Sequence, residues 1–199
     1  FALAKSLIDL AERGIYEASL EELAVPYARH LTEHLAKAPR QSTSPQSQFL
    51  DACREFNSGA LDQSALTEAT VRLGFNNVID AFHVVANGEV PTRFFHDERR
   101  GKTKGIVLTD AVGALLSAEA YSPQAEVEGR WRLVETAWDR GLDTSVVRAD
   151  LSGDYLFTKD RRTQITGSRG ALNGYQRGAC FYCYRYISIR AYDPDLADV

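Results

Sequence analysis

The stretch VPTRFFHDERRGKTKGIVLT, residues 90–109, decides how this chain is read. VPTRFF and GIVLT are short runs rich in β-branched and aromatic residues, the composition of strands. Between them HDERRGKTKG carries charge and two glycines, the composition of a turn. The stretch therefore predicts a β-hairpin with Arg99, Arg100, Lys102 and Lys104 at its tip. Two readings of that tip stand side by side. A basic loop lies well against the phosphates of a nucleic acid. A charged tip also keeps an exposed hairpin soluble and unpaired.

Upstream, the pattern is helical. FALAKSLIDLAERG keeps Leu3, Leu7, Ile8 and Leu10 on one face and stops at Gly14. SLEELAVPYARHLTEHLAKAPR opens with Ser19 and Glu22 at capping-box spacing, and Leu20, Leu23, Tyr27, Leu31 and Leu35 continue an apolar face. Pro26 lies inside that pattern and is expected to kink or divide the helix. QSTSPQS, residues 41–47, is a polar loop. SQFLDACREFNSG, DQSALTEATVRLG and NNVIDAFHVVANG then read as three short helices, each closed by glycine. Cys53 falls one turn from Leu50 and Phe56, the place of a core cysteine. His83, between Phe82 and Val84, has no second ligand type at metal-binding spacing and reads as an interior or edge histidine. Three helices followed by a two-stranded ribbon resemble a winged helix, with 96–105 as the wing.

Downstream, LTDAVGALLSAEA and AEVEGRWRLVETAWDRGL return to helix. Thr109 is placed to cap the first. In the second, Val127, Trp131, Val134 and Trp138 recur at helical spacing and form a core-facing stripe. The fold class expected is mainly α. An N-terminal helical domain with one hairpin covers 1–145, and a basic lead-in to a second module covers 146–199.

Composition bounds the rest. Of 199 residues, 44% are apolar and 25% charged, ordinary for a globular protein. No apolar run approaches the roughly eighteen residues that span a bilayer, and the first residues lack the pattern of a signal peptide. Neither a membrane partner nor a disulfide framework is expected. Three cysteines suit a reducing, cytoplasmic setting. The chain contains no Met and is expected to begin inside a longer protein. The net charge of −4 is unevenly distributed: residues 151–190 carry seven basic and two acidic side chains, while residues 1–150 carry 16 basic and 22 acidic ones. That split points the C-terminal part toward a polyanion; a solvated charged face is the other reading.

RGACFYCYRY, residues 177–186, sets Cys180 and Cys183 three positions apart. A redox pair needs a helix start after a strand, and the aromatic, β-branched flanks read instead as a hairpin. Two thiolates on a tight turn fit half of a tetrahedral zinc site, at about 2.3 Å each. Two packed thiols are the third reading. No Cys or His follows Cys183 within the chain.

RRTQITGSRGALNGYQRGACFYCYRYISI (161–189) with DPDLADV (193–199) resembles the entry to an HNH endonuclease domain, the ββα-metal nuclease module. Such domains open with a basic helix and a Tyr-Gln-x-Gly-x-Cys-x-Tyr-Cys turn, matched here from Tyr175 to Cys183. The resemblance covers about the last 40 residues. It implies that Cys180 and Cys183 form half of a structural zinc staple. It further implies that Arg161, Arg162, Arg169 and Arg177 meet DNA phosphates; the winged-helix likeness, separately, sets Arg99, Arg100 and Lys102 of the hairpin against the same backbone. It places the Asp-His pair, the Asn, and the second cysteine pair after Val199, so no catalytic residue is assigned within the 199 residues. The whole protein is expected to cut DNA with Mg²⁺ or another divalent ion. By analogy with bacterial assemblies that defend against phage, the helical part is expected to hold a protein partner or a second copy. The alternative is a non-catalytic DNA-binding or protein-interaction module with a zinc knuckle.

Overall fold

A computed structural model describes residues 1–139, apart from 43, 45, 86, 87 and 118–121. One compact unit spans Ala2–Glu119, and a second takes in Phe1 and the residues from Ala120 onward. The described residues are mainly helical, with a small β-sheet.

Helix α1, Ala2–Glu12, buries Leu3, Leu7, Ile8 and Leu10, as the sequence stripe predicts. It ends at Gly14, whose φ of +73° suits glycine. The chain then forms a three-residue strand, β1 (Glu17–Ser19), and turns directly into α2 (Leu20–Leu35). Ser19 is the cap of α2: its hydroxyl accepts the Glu22 N–H at 3.2 Å, and the Glu22 carboxylate accepts the Ser19 N–H at 2.8 Å. This is the expected capping box. Of the two expected effects of Pro26, division of α2 does not occur: the helix runs through it from Leu20 to Leu35. One backbone bond is forgone there, but Leu23, Ala24, Tyr27 and Ala28 on either side are all buried, and their packing holds the helix through the gap.

Across the α1–α2 contact, Asp9 lies 2.6 Å from both Arg29 Nη2 and His30 Nε2. Tyr27 packs its ring 5.8 Å from Phe49 and 5.0 Å from Phe75, joining α2 to α3 (Gln48–Asn57) and to the segment that carries Phe75. Burial pushes the Tyr27 hydroxyl pKa up. Cys53 is fully buried, as expected for a core cysteine, and burial raises its thiol to about 12.

Helix α4 (Gln63–Ala69) continues into a π-helical turn, Thr70–Gly74, where the sequence pattern predicts ordinary helix. Buried Thr70 donates its hydroxyl to the Leu66 carbonyl, and Gly74 lets the Phe49 ring come close. The third expected helix is cut short. Helix α5 is only Val78–Ala81, and Val84–Val85 (β2) pairs with Gly88–Glu89 (β3) in a small antiparallel hairpin. Two β-branched residues followed by Ala-Asn-Gly form a turn signal that outweighs the helical period.

The predicted hairpin is present but displaced. Strand β4 is Phe95–Glu98 and β5 is Gly105–Leu108, with Phe95 opposite Leu108 and Glu98 opposite Gly105. VPTRFF is therefore not a strand except at its last residue. Pro91 has no N–H to donate, and 90–94 are pinned by other bonds: Val90 N–H to the His83 carbonyl, Phe94 N–H to His83 Nε2, and the Thr109 hydroxyl to the Arg93 carbonyl. The ribbon also has a third member. Strand β1 lies antiparallel against β5, Glu17 opposite Val107 and Ser19 opposite Gly105, giving the order β1-β5-β4.

Thr109 precedes α6 (Asp110–Leu116) with extended backbone, yet its hydroxyl caps nothing in the helix, because it serves Arg93. Helix α7 is Pro123–Asp139. Of its expected stripe, Trp131 is buried, while Val127, Val134 and Trp138 are half-buried. Glu126–Arg130 and Glu128–Arg132 form ion pairs one turn apart along it.

Candidate nucleic-acid interface

The hairpin loop 99–104 is the described part of the basic constellation. Its root is built by close approach. Phe95, Ile106 and Leu108 are buried and anchor the two strands to the core. Gly105 admits β1: a Cβ there would stand 2.0 Å from the Ala18 carbonyl oxygen and 2.7 Å from the Ser19 backbone. Leu108 N–H donates to the Tyr16 carbonyl at 2.7 Å, and Leu20 N–H to the Lys104 carbonyl at 3.2 Å. Both ends of β5 are thereby laced to the segment that enters α2. Within the loop, Gly101 N–H closes a turn on the Glu98 carbonyl at 2.9 Å, and Lys104 takes a left-handed φ of +55°.

The four tip cations do not share one environment. Arg100, Lys102 and Lys104 are exposed, with no ion-pair partner among the described residues. Arg99 is only 28% exposed and is already engaged. It bridges Asp97 of β4 and Asp80 of α5, which corrects the expectation that it stands free at the tip. Hydrogen bonds from Arg99 hold the Asp97 carboxyl below its usual range, and the two carboxylates push the guanidinium higher still. The sequence carried half of this signal, since Asp97 is two residues away. Asp80 is nineteen away, and only the fold brings it alongside.

A groove between α3 and α4 has Ala52, Ala65 and Leu73 in its floor, with exposed Asp51, Glu55, Glu68 and Arg72 around it. His83 is buried, as expected, between Phe82 and Phe95. Among the described residues, no cluster of three or more His, Cys, Asp or Glu side chains is arranged to hold a metal ion, and no helix is long and apolar enough to cross a membrane. Cys180, Cys183, Arg161, Arg162, Arg169 and Arg177 lie outside the described residues. The chain matches no family model, no curated protein and no solved structure.

Proposed function

We propose that this chain is the DNA-binding N-terminal region of an HNH-type endonuclease, with Ala2–Glu119 acting as a winged-helix-like domain. The observation that carries the binding half is the strand order β1-β5-β4, in which β1 falls between the first two helices and pairs with the hairpin that presents Arg100, Lys102 and Lys104. A three-stranded sheet under a basic loop is the support a wing needs to reach a phosphate backbone without collapsing onto its own domain. Helix α4 and its π turn offer one Arg and one Glu to solvent, so attraction falls to the wing and to the basic residues 151–190. Cleavage rests on the resemblance of 161–199 to the HNH entry. There, Cys180 and Cys183 supply two of the four thiolates of a structural zinc staple, and a divalent ion supplies charge stabilisation at the phosphate.

The binding test is anisotropy of a labelled DNA duplex titrated with the 199-residue chain over a series of salt concentrations. Arg100→Ala and Lys102→Ala are each expected to weaken binding and to lower the slope of log K against log salt by about 0.9, one phosphate contact apiece. Unchanged affinity and slope in both would remove the wing from the interface. The cleavage test is nicking of supercoiled plasmid by a polypeptide that continues beyond Val199. Failure with every divalent ion tried rejects the nuclease.

A second reading, a protein-interaction module, is favoured by the groove between α3 and α4, whose three acids against one arginine suit a basic peptide better than a phosphate. Weak DNA binding that is indifferent to the wing, together with saturable binding of a basic peptide, would favour it.

A further inference from the structure

The first cation of the wing does something different from its neighbours. Arg99 Nη2 donates to Asp80 Oδ1 at 2.5 Å and to Asp97 Oδ2 at 2.7 Å. Its Nη1 reaches Asp80 Oδ2 at 3.3 Å, and its Nε reaches Asp97 Oδ1 at 2.9 Å. The Arg99 backbone N–H also donates to Asp97 Oδ1, at 3.0 Å. All three guanidinium nitrogens are thus taken up by two carboxylates on two different elements, α5 and β4. Arg99 and its two carboxylates together carry a formal charge of −1, which Arg100 in the same cleft balances, so Arg99 itself has no unmatched positive charge to offer a phosphate. A phosphate contact at Arg99 would also have to strip away a bidentate partner.

We infer that Arg99 is a positioning residue of the wing. It ties the first residue after β4 to α5 and so sets the direction in which Arg100, Lys102 and Lys104 leave the sheet. It makes no phosphate contact itself. The inference rests on the proposed reading of the wing as a DNA contact. Arg100 lines the same cleft beside Asp80, Asp97 and Arg99, but is exposed and without an ion pair among the described residues. Adjacent arginines thereby divide the labour, one as joint and one as contact. The planar fork of Arg is what permits the joint, and a lysine cannot reproduce it.

The decisive variant is Asp80→Asn, assayed by the same duplex titration. Removing an acid beside DNA should by charge alone tighten binding. Loss of the joint should weaken it, by about three- to fivefold, the size expected for a partly exposed charge pair. The expected result is weaker binding with an unchanged salt slope, the same from Arg99→Ala, and recovery with Asp80→Glu. Tighter binding by Asp80→Asn, with a slope lowered by about 0.9 in Arg99→Ala, would make Arg99 a phosphate contact and overturn the inference. Should Arg100→Ala and Lys102→Ala leave binding untouched, the wing reading itself fails, and amide hydrogen exchange then judges the joint. Faster exchange at 100–104 in Asp80→Asn upholds it, and unchanged rates overturn it. Asp80 is 60% exposed, so the substitution is compatible with folding, which an unchanged thermal midpoint verifies.

Discussion

Gly105 is the position where the backbone leaves least room. A methyl group there meets the Ala18 carbonyl and the Ser19 main chain, neither of which can rotate away. Gly105→Ala is expected to push β1 off β5 and to cost about 3 kcal/mol, measured by urea denaturation. Gly101→Ala is the control. Its Cβ would meet chiefly the end of the Glu98 side chain, which can swing aside, so its stability should stay within about 0.5 kcal/mol of the parent. The sequence shows two identical-looking glycines in one charged loop. Only the register distinguishes them. The same limit applies to Arg99 and Arg100: chain order makes them equivalents, whereas a carboxylate from α5 makes one of them a structural part.

His83 couples α5 and β2 to the entry of the wing. Its Nε2 accepts the Phe94 N–H at 2.9 Å and so must be unprotonated, which puts the ring proton on Nδ1. Burial among aromatic rings, followed by the charge of Arg93, lowers its pKa below the ordinary 6.5; Glu89 opposes this, and His96 adds to it. Because the folded value is depressed, this contribution to stability is complete above about pH 6.5 and is lost as pH falls below it. The thermal midpoint of the parent should therefore drop between pH 6.5 and 5 by more than that of His83→Gln, whose amide oxygen can still accept from Phe94. Parallel curves would show that His83 is not the titrating group. Legibility in the sequence followed local chemistry. The capping box of α2, the glycine stops of α1 and α3, and the buried stripe of α1 are written in adjacent residues and were readable. Strand β1 was not, because Glu-Ala-Ser carries no strand signal and its partner lies almost ninety residues on. The π turn arises from how Thr70 and Gly74 seat against the core, and the displaced frame of β4 arises from bonds made by His83. Of the candidate interface, its place and its charge were legible, but its internal division was not.

Charge over the whole chain is a matter of placement. Residues 1–150 are acidic, and the basic residues 151–190 are what bring the total back to −4. On that distribution, the acids around the α3–α4 groove act on a DNA ligand only at a distance. Glu55→Gln with Glu68→Gln should tighten duplex binding at about 50 mM salt and change it little at 150 mM, where the screening length is about 8 Å. An equal gain at both concentrations would place the groove in direct contact with DNA. Finally, Ser19 is at once the last residue of β1 and the cap of α2, so sheet and helix meet with no slack between them. Each residue advances a helix by about 100°. An insertion at that junction would swing the entire apolar stripe of α2 away from α1, whereas the long connection between α2 and α3 could absorb the same insertion unnoticed. The mechanical phase of the bundle is therefore geared to the ribbon at a single serine, and length variation in related chains should avoid that point.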